Sequence, residues 1–480
     1  MLTRQISLVL GILIRNLFAP ASNGELAMTF VSFLGGSGTV TGSRFLLETA
    51  QSKLLVDCGL FQGCKQLRLK NWQPLGVDPA GLDAVILTHA HLDHSGYLPA
   101  LVRQGFSKQV LCTELTRELC DILLPDAARI QESDAEHANR EGFSRHHPAK
   151  PLYTERDARR ILQHFRTSRF GEEQTLPGGQ KLKFLRAGHI LGAAIVQLDI
   201  DGRRITFSGD IGRYNCPLMH PPERIPSTDY LVVESTYGNS DHPDADPEDL
   251  LEDVICRTIA RGGTVVVPSF AVGRAQTLLY HLSRLRKSGR IPPVPIYLDS
   301  PMAIDASDLF CRQDGGARLS KEDARAACSV ADYIRDPELS RRTIADPAPK
   351  IVLSASGMAT GGRVLNYLKR YAPDPNSTIL FAGYQAGGTR GAHMLAGAER
   401  IKIHGAWHKV RAEVLNLHML SAHADASEIM RWLSGFEAPP RKTFVVHGEP
   451  DASDALRHRI QEELGWDCEV PEQGQRVELL

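Results

Sequence analysis

Val85-Ile-Leu-Thr-His-Ala-His-Leu-Asp-His94-Ser-Gly96 is the stretch on which the reading of this chain turns. Val85, Ile86 and Leu87 are apolar without alternation, the pattern of a strand buried on both faces. Immediately beyond Leu87, three histidines and an aspartate fall within six positions. His89 and His91, two apart, can converge on one metal ion from a turn, while Asp93 and His94 project to the other side. Imidazole and carboxylate ligands suit zinc, with Zn–N near ~2.0–2.1 Å. A cluster of surface or capping residues accounts for a lone histidine, but poorly for four potential ligands packed so closely.

Around this segment, short β-branched runs alternate with glycine-rich turns, as in layered sheets. Strands are expected at 30–34, 44–48, 53–56 and 84–87, then at 181–186, 194–200 and 204–208. Helices are expected over 97–104, from Thr116 into the 120s and over 157–165, with a helix and a mobile loop across 131–150. From about residue 212 the pattern changes, and residues 229–400 read as alternating βα units: strand 230–234, helix 247–259, strand 264–268, helix 274–287. Strand 296–298, a polar helical stretch 320–334, strand 351–354, helix 364–370 and strand 379–381 follow. That order implies a mainly parallel sheet. After about residue 400 a strand-rich character returns with 401–404, a helix at 426–435 and a strand at 443–446. The expected organisation is therefore an extension over 1–27, a first domain over 28–211, an insertion over 212–399 and a return to the first domain over 400–480.

Composition narrows the function classes. With 480 residues, 42% hydrophobic and 23% charged, the chain is long enough for two cores and is neither fibrous nor disordered. A formal net charge of -1 gives no global sign of nucleic-acid binding, so any contact with a polyanion must come from a local basic surface. Nine cysteines, with no CxxC pair, fit a reduced, cytoplasmic chain better than a disulfide framework. The apolar run 6–14 is too short to span a bilayer. It has the shape of a weak signal peptide, or is an extension without structural importance before the strand pattern opens at Met28.

Further motifs follow in order. Ala187-Gly-His189-Ile-Leu-Gly192 sets a histidine between glycines, and Phe207-Ser-Gly-Asp210 ends a strand with a carboxylate. Taken singly, each is an ordinary turn or cap. Together with Asp57 in Leu-Leu-Val-Asp57-Cys-Gly and His89/His91/Asp93/His94, they resemble the metallo-β-lactamase fold. Glu234 in Val-Val-Glu-Ser-Thr-Tyr-Gly238, His423 in Leu-Ser-Ala-His423-Ala-Asp425 and His447 in Val-Val-His447-Gly-Glu resemble the additional motifs of the β-CASP nucleases. Pro268-Ser-Phe-Ala-Val-Gly-Arg-Ala-Gln276, Ser354-Ala-Ser-Gly-Met-Ala-Thr-Gly-Gly-Arg363 and Gly383-Tyr-Gln-Ala-Gly-Gly-Thr-Arg390 extend the likeness over nearly all of residues 28–480.

This resemblance implies an α/β fold, a metallo-β-lactamase αββα sandwich with an inserted αβα β-CASP domain. It implies two Zn2+ ions, with Mn2+ as the alternative: His89, His91 and His189 on one, Asp93, His94 and His447 on the other, Asp210 between them and Asp57 orienting a ligand. The implied activity is endonucleolytic hydrolysis of single-stranded RNA to 5′-phosphate and 3′-hydroxyl ends. Asp93, His423 and Glu234 are the catalytic candidates, His423 as general acid and Glu234 as the group that orients it. Arg274, Arg363 and Arg390 are candidate phosphate contacts, as are Ser356 and Thr360 in the glycine-rich stretch; the alternative is that they shape loops and make internal ion pairs. A homodimer is compatible with the fold, and no membrane partner is expected. His404, His408, His146 and His147 read as surface or hydrogen-bonding residues. A thioesterase or lactonase on the same fold would share the first histidines without needing the insertion, and an RNA-binding scaffold would not need the ligands.

Overall fold

The computed structural model describes residues 28–142, 144, 146–312 and 316–480. The expected extension over 1–27 lies outside the described residues.

Two seven-stranded sheets pack face to face. The first runs in the order Arg476–Leu479, Thr29–Gly35, Arg44–Glu48, Lys53–Val56, Ala84–Ile86, Gln109–Thr113, Phe165–Ser168. The second runs Cys468–Glu469, Lys442–Val446, Tyr230–Glu234, Arg203–Phe207, Ala194–Ile200, Lys181–Arg186, Glu173–Thr175. Between them lies a core of inward-facing side chains from both sheets, with the Phe33 and Phe444 rings 5.0 Å apart. The apolar run at 85–87 behaves as its lack of alternation implies. Ile86 faces this inter-sheet core, while Val85 and Leu87 face a second core covered by helices such as Leu98–Arg103 and Ala426–Leu433.

A third sheet, wholly parallel, carries Asp332–Tyr333, Ile296–Leu298, Ile351–Ser354, Val265–Pro268, Thr378–Phe381 and Glu413–Asn416 in that order. Each of its faces has its own core. One is built with Pro247–Ala260 and Arg274–Lys287, the other with Val364–Tyr371. The architecture is thus the αββα sandwich with an inserted αβα layer that the motifs imply.

Several local expectations are corrected. Tyr230–Glu234, read with the insertion, lies in the second core sheet, parallel to both Arg203–Phe207 and Lys442–Val446. Residues 400–416, read as a return to the first domain, stay with the insertion: Glu413–Asn416 pairs with Thr378–Phe381, and Ile401 and Ile403 enter its core. A strand's alternation shows that it is half or fully buried, but not which sheet accepts it. The long helix Glu114–Arg140 includes the helix expected within 131–150, whereas the stretch 320–334, expected to be helical, divides into the helix Lys321–Ser329 and the strand Asp332–Tyr333. The sulfurs of Cys311 and Cys328 lie side by side, and the other seven cysteines are free. No helix among the described residues is long and apolar enough to cross a membrane.

Candidate metal centre and cleft

Five parallel strands deliver their carboxyl ends to one edge of the sandwich. Asp57 directly follows Lys53–Val56, His89 lies three residues beyond Ala84–Ile86, Asp210 three beyond Arg203–Phe207, Glu234 ends its strand, and His447 directly follows Lys442–Val446. Strand ends in open α/β sheets form crevices for this geometric reason. Asp93 and His94 open the short helix Leu92–Ser95, and His189 sits in the turn between Lys181–Arg186 and Ala194–Ile200. Close loop approach depends on glycine. A Cβ at Gly212 would stand 1.9 Å from the Gly188 carbonyl oxygen, so glycine there lets the Asp210 and His189 loops meet. Asp57 and His447 are non-glycine residues at φ 59° and 50°, strained positions held by their surroundings.

The side chains brought together are buried and mutually close. His89 Nε2 and His189 Nε2 lie 3.2 and 3.1 Å from His91 Nδ1. His94 Nε2 lies 3.1 Å from His447 Nε2. Two nitrogens bound to one tetrahedral zinc would be about 3.3–3.4 Å apart, given Zn–N of about 2.0–2.1 Å. Asp210 stands between the groups: Oδ2 is 3.3 Å from His89 Nε2 and 3.5 Å from His189 Nε2, and Oδ1 is 3.2 Å from His94 Nε2. Asp93 Oδ2 is 3.7 Å from His447 Nε2. His91 Nε2, His189 Nδ1 and Asp210 Oδ1 are buried without a hydrogen-bond partner among the described residues. Convergent lone pairs and orphaned polar atoms in one pocket are what a cation-binding site requires, so the donor set fits a pair of metal ions.

Electrostatics agrees. Burial drives His89 down to about 3 and also lowers His91 and His189. Burial opposes ionisation of Asp210, but His447, His94 and His89 hold it well below the usual carboxylate range. Asp93 is likewise lowered, its burial outweighed by the His447 hydrogen bond and by His94. Neutral imidazoles and ionised carboxylates are the forms that ligate metals. His94 goes the other way: burial would lower it, yet Asp210 and Asp57 carry it well above its ordinary value.

The supporting contacts fix ring orientations. Asp57 Oδ2 is 2.7 Å from His94 Nδ1, which turns Nε2 toward the centre. The Thr88 N–H and hydroxyl donate to Asp57 in turn, and Thr236 Oγ1 lies 3.1 Å from His447 Nδ1. Thr88 and Thr236 were not singled out in the sequence. Their only signal is proximity to His89 and Glu234, and threonine is too common for that to suffice. His423 Nδ1 is 3.2 Å from both oxygens of Glu234, which also accept from the Ile211 N–H at 2.6 Å and the Thr236 N–H at 3.3 Å. Burial would lower His423, but Glu234 and Asp210 outweigh it and raise it.

A cleft of about 450 Å³ opens onto this edge between the sandwich and the insertion. His91, Asp93, His189, His423 and His447 form its floor, and Arg274 and the Ser356–Arg363 loop lie on its walls. The loop candidates separate here. Arg363 donates to Asp299 Oδ1 at 2.7 Å and to the carbonyls of Ile334 and Arg335. Arg390 donates to the carbonyls of Lys402, Ala359 and Thr360. Both guanidinium groups have internal partners, the arrangement that the loop-shaping alternative describes. Ser356 Oγ accepts the Thr360 and Gly361 N–H groups, so that backbone is partly satisfied from within. Arg274 differs. It is 6% exposed, has no ion pair or hydrogen bond among the described residues, and leaves Nε buried without a partner. Burial pushes it down to about 10. A second cavity of about 640 Å³ is also lined by Arg274 and His189.

Comparison with known proteins agrees with this architecture. The Metallo-beta-lactamase superfamily matches residues 38–254, the Beta-Casp domain residues 275–394, and the Zn-dependent metallo-hydrolase RNA specificity domain residues 407–471. Ribonuclease TTHA0252 of Thermus thermophilus is 36% identical over 439 residues, covering 89% of this chain and 95% of that protein. Transcription termination factor FttA of Methanocaldococcus jannaschii is 32% identical over 460 residues, covering 90% of this chain and 69% of its own. A crystallised protein of unknown function from Enterococcus faecalis V583 superposes with a TM-score of 0.51 at 15% identity, over 94% of this chain and 100% of that one, a likeness of fold alone.

Proposed function

The chain belongs to the β-CASP ribonucleases of the metallo-β-lactamase superfamily, and we propose that it cuts single-stranded RNA internally in the cytoplasm, leaving 5′-phosphate and 3′-hydroxyl ends. The observation that carries this reading is the Asp210 carboxylate, whose two oxygens face two separate groups of imidazoles beside the His423–Glu234 pair. Two divalent ions, Zn2+ with Mn2+ as the alternative, would be held by His89, His91 and His189 and by Asp93, His94 and His447 with Asp210 between, and when bound would activate water and neutralise phosphate charge.

The chain's own residues do the rest. With Nδ1 committed to Glu234, His423 keeps Nε2 for the departing 3′-oxygen. Burial would lower its pKa, but Glu234 and Asp210 raise it, the direction a general acid needs. Glu234 fixes the ring's tautomer and compensates its charge. Arg274, an unpaired cation on the cleft wall, is the substrate contact favoured for a backbone phosphate.

Cleavage of internally labelled single-stranded RNA by wild type, His423→Ala and Asp210→Ala tests the reading. Wild type should yield 5′-phosphate products; His423→Ala should keep its metal and lose roughly 10²–10⁴-fold in rate; Asp210→Ala should lose both. A wild type that holds two metals and hydrolyses a thioester or lactone but no RNA would replace the ribonuclease with a small-molecule hydrolase. RNA binding without cleavage would leave a scaffold.

A further inference from the structure

The hairpin of Arg400–Ile403 and Ala406–Lys409 takes no part in the centre above, and one of its faces makes little sense as folding alone. Its turn is His404-Gly405, at φ 46° and 84°, the two-residue mirror-image turn that suits strand twist. The antiparallel register sets Arg400 opposite Lys409, Ile401 opposite His408, Lys402 opposite Trp407 and Ile403 opposite Ala406. Opposed residues share a face, and faces alternate along each strand. One face therefore carries Ile401 and Ile403, buried in the core of the insertion.

The other face carries Arg400, Lys402, Trp407 and Lys409, all exposed, with Trp407 at 65%. None of the three cations has an ion pair or side-chain hydrogen bond among the described residues. Like charges directly opposite destabilise a strand pair, and an indole left in water gains nothing from its large apolar surface. The hairpin carries both costs with no internal return.

Its position relates the face to the cleft. Arg390 donates to the Lys402 carbonyl at 2.7 Å and to those of Ala359 and Thr360 at 2.9 and 3.1 Å, and Thr360 lies on the cleft wall. At the turn, the His404 ring is 6.4 Å from that of His137 on the helix Glu114–Arg140, whose Asp126 and Ile130 also line the cleft.

We propose that Arg400, Lys402, Trp407 and Lys409 form a platform for single-stranded RNA leaving the cleft, with the indole stacking on a base and the cations meeting flanking phosphates. The inference rests on the ribonuclease reading. Charge selects the occupant: three unpaired cations and no acid on this face repel the same face of a second copy and attract a polyanion. An aromatic ring among cations is the combination that holds single strands without reading sequence.

The test uses the full-length protein with RNAs of ~5 and ~30 nucleotides, the shorter one too short to reach beyond the cleft. Trp407→Ala should raise KM for the long RNA roughly tenfold, as loss of one stacked base would, with kcat unchanged and the short RNA unaffected. The triple variant Arg400→Ala, Lys402→Ala, Lys409→Ala should reduce the salt slope of long-RNA binding by about 2, from ~0.7 per phosphate. An unchanged KM for the long RNA in both variants overturns the platform while leaving the ribonuclease intact. Conversion of a dimer to monomers by Trp407→Ala, with RNA affinity unchanged, makes the face a copy-to-copy interface and also overturns it. A wild type that binds neither RNA overturns the ribonuclease reading and the platform with it.

Discussion

Asp57→Asn tests how the centre is held, because it changes one atom's chemistry and leaves the backbone alone. Asp57 is 1% exposed at φ 59°, a conformation that asparagine adopts as readily as aspartate. Its Oδ1 accepts the Thr88 N–H at 2.8 Å, and the asparagine carbonyl oxygen can keep that bond. The amide nitrogen then faces His94 Nδ1, where Asp57 Oδ2 stands at 2.7 Å. A donor now meets a donor. His94 must move its proton to Nε2, the nitrogen turned toward Asp210 and His447, or lose the contact. A charge-assisted hydrogen bond is worth ~1.5–3 kcal/mol, or roughly 10- to 100-fold in the affinity of the ion that His94 would hold. His89, His91 and His189 have no bond to Asp57, so the other ion should change far less. Stepwise reconstitution of metal-free protein against a competing chelator reads both affinities, with a thermal melt as the folding control. Equal weakening of both ions, or no change in either, would refute the assignment of Asp57 to His94 alone.

Arg274→Met should raise the thermal midpoint, by ~1 kcal/mol or more of stability, because it removes a buried cation that has no partner. The same variant should bind RNA more weakly, so calorimetry and RNA anisotropy should move in opposite directions. Arg363→Ala should cost about 3 kcal/mol in a urea melt, since the fully buried Asp299 loses its cation and keeps only Ser340 and Tyr367 as partners. Its folded fraction should retain the wild-type KM for RNA. Gly212→Ala should strip metal from the purified protein without changing its far-UV spectrum, because a Cβ 1.9 Å from the Gly188 carbonyl separates the loops of Asp210 and His189; elemental analysis measures it.

How much of the site could be read in the sequence depended on how local each signal is. His89, His91, Asp93 and His94 lie within one strand-loop-helix unit, so neighbouring residues carry nearly all of their geometric constraint. His189, Asp210, Glu234 and His447 each end or follow a recognisable strand, and became informative only as an ordered set. The arginines gave no such help. Arg274, Arg363 and Arg390 each sit beside glycine-rich motifs, yet one is unpaired and two are engaged internally. Asp299, the ionic partner of Arg363, lies 64 positions away, and no local pattern announces it.

By itself, the sequence determined the kind of most elements, the clustering of potential metal ligands and the family, because strand burial and ligand spacing are properties of short segments. Only the tertiary structure decided sheet membership. Tyr230–Glu234 reads as a buried strand from its own residues, but its place beside Lys442–Val446 depends on closing the whole insertion between them. The hairpin face of Arg400, Lys402, Trp407 and Lys409 likewise exists only once the register is set, since a shift by one residue would turn each of those side chains to the other side. Pairing partners far apart in the chain pay a loop-closure entropy that local sequence does not encode, and the packed cores of the whole fold are what offset it.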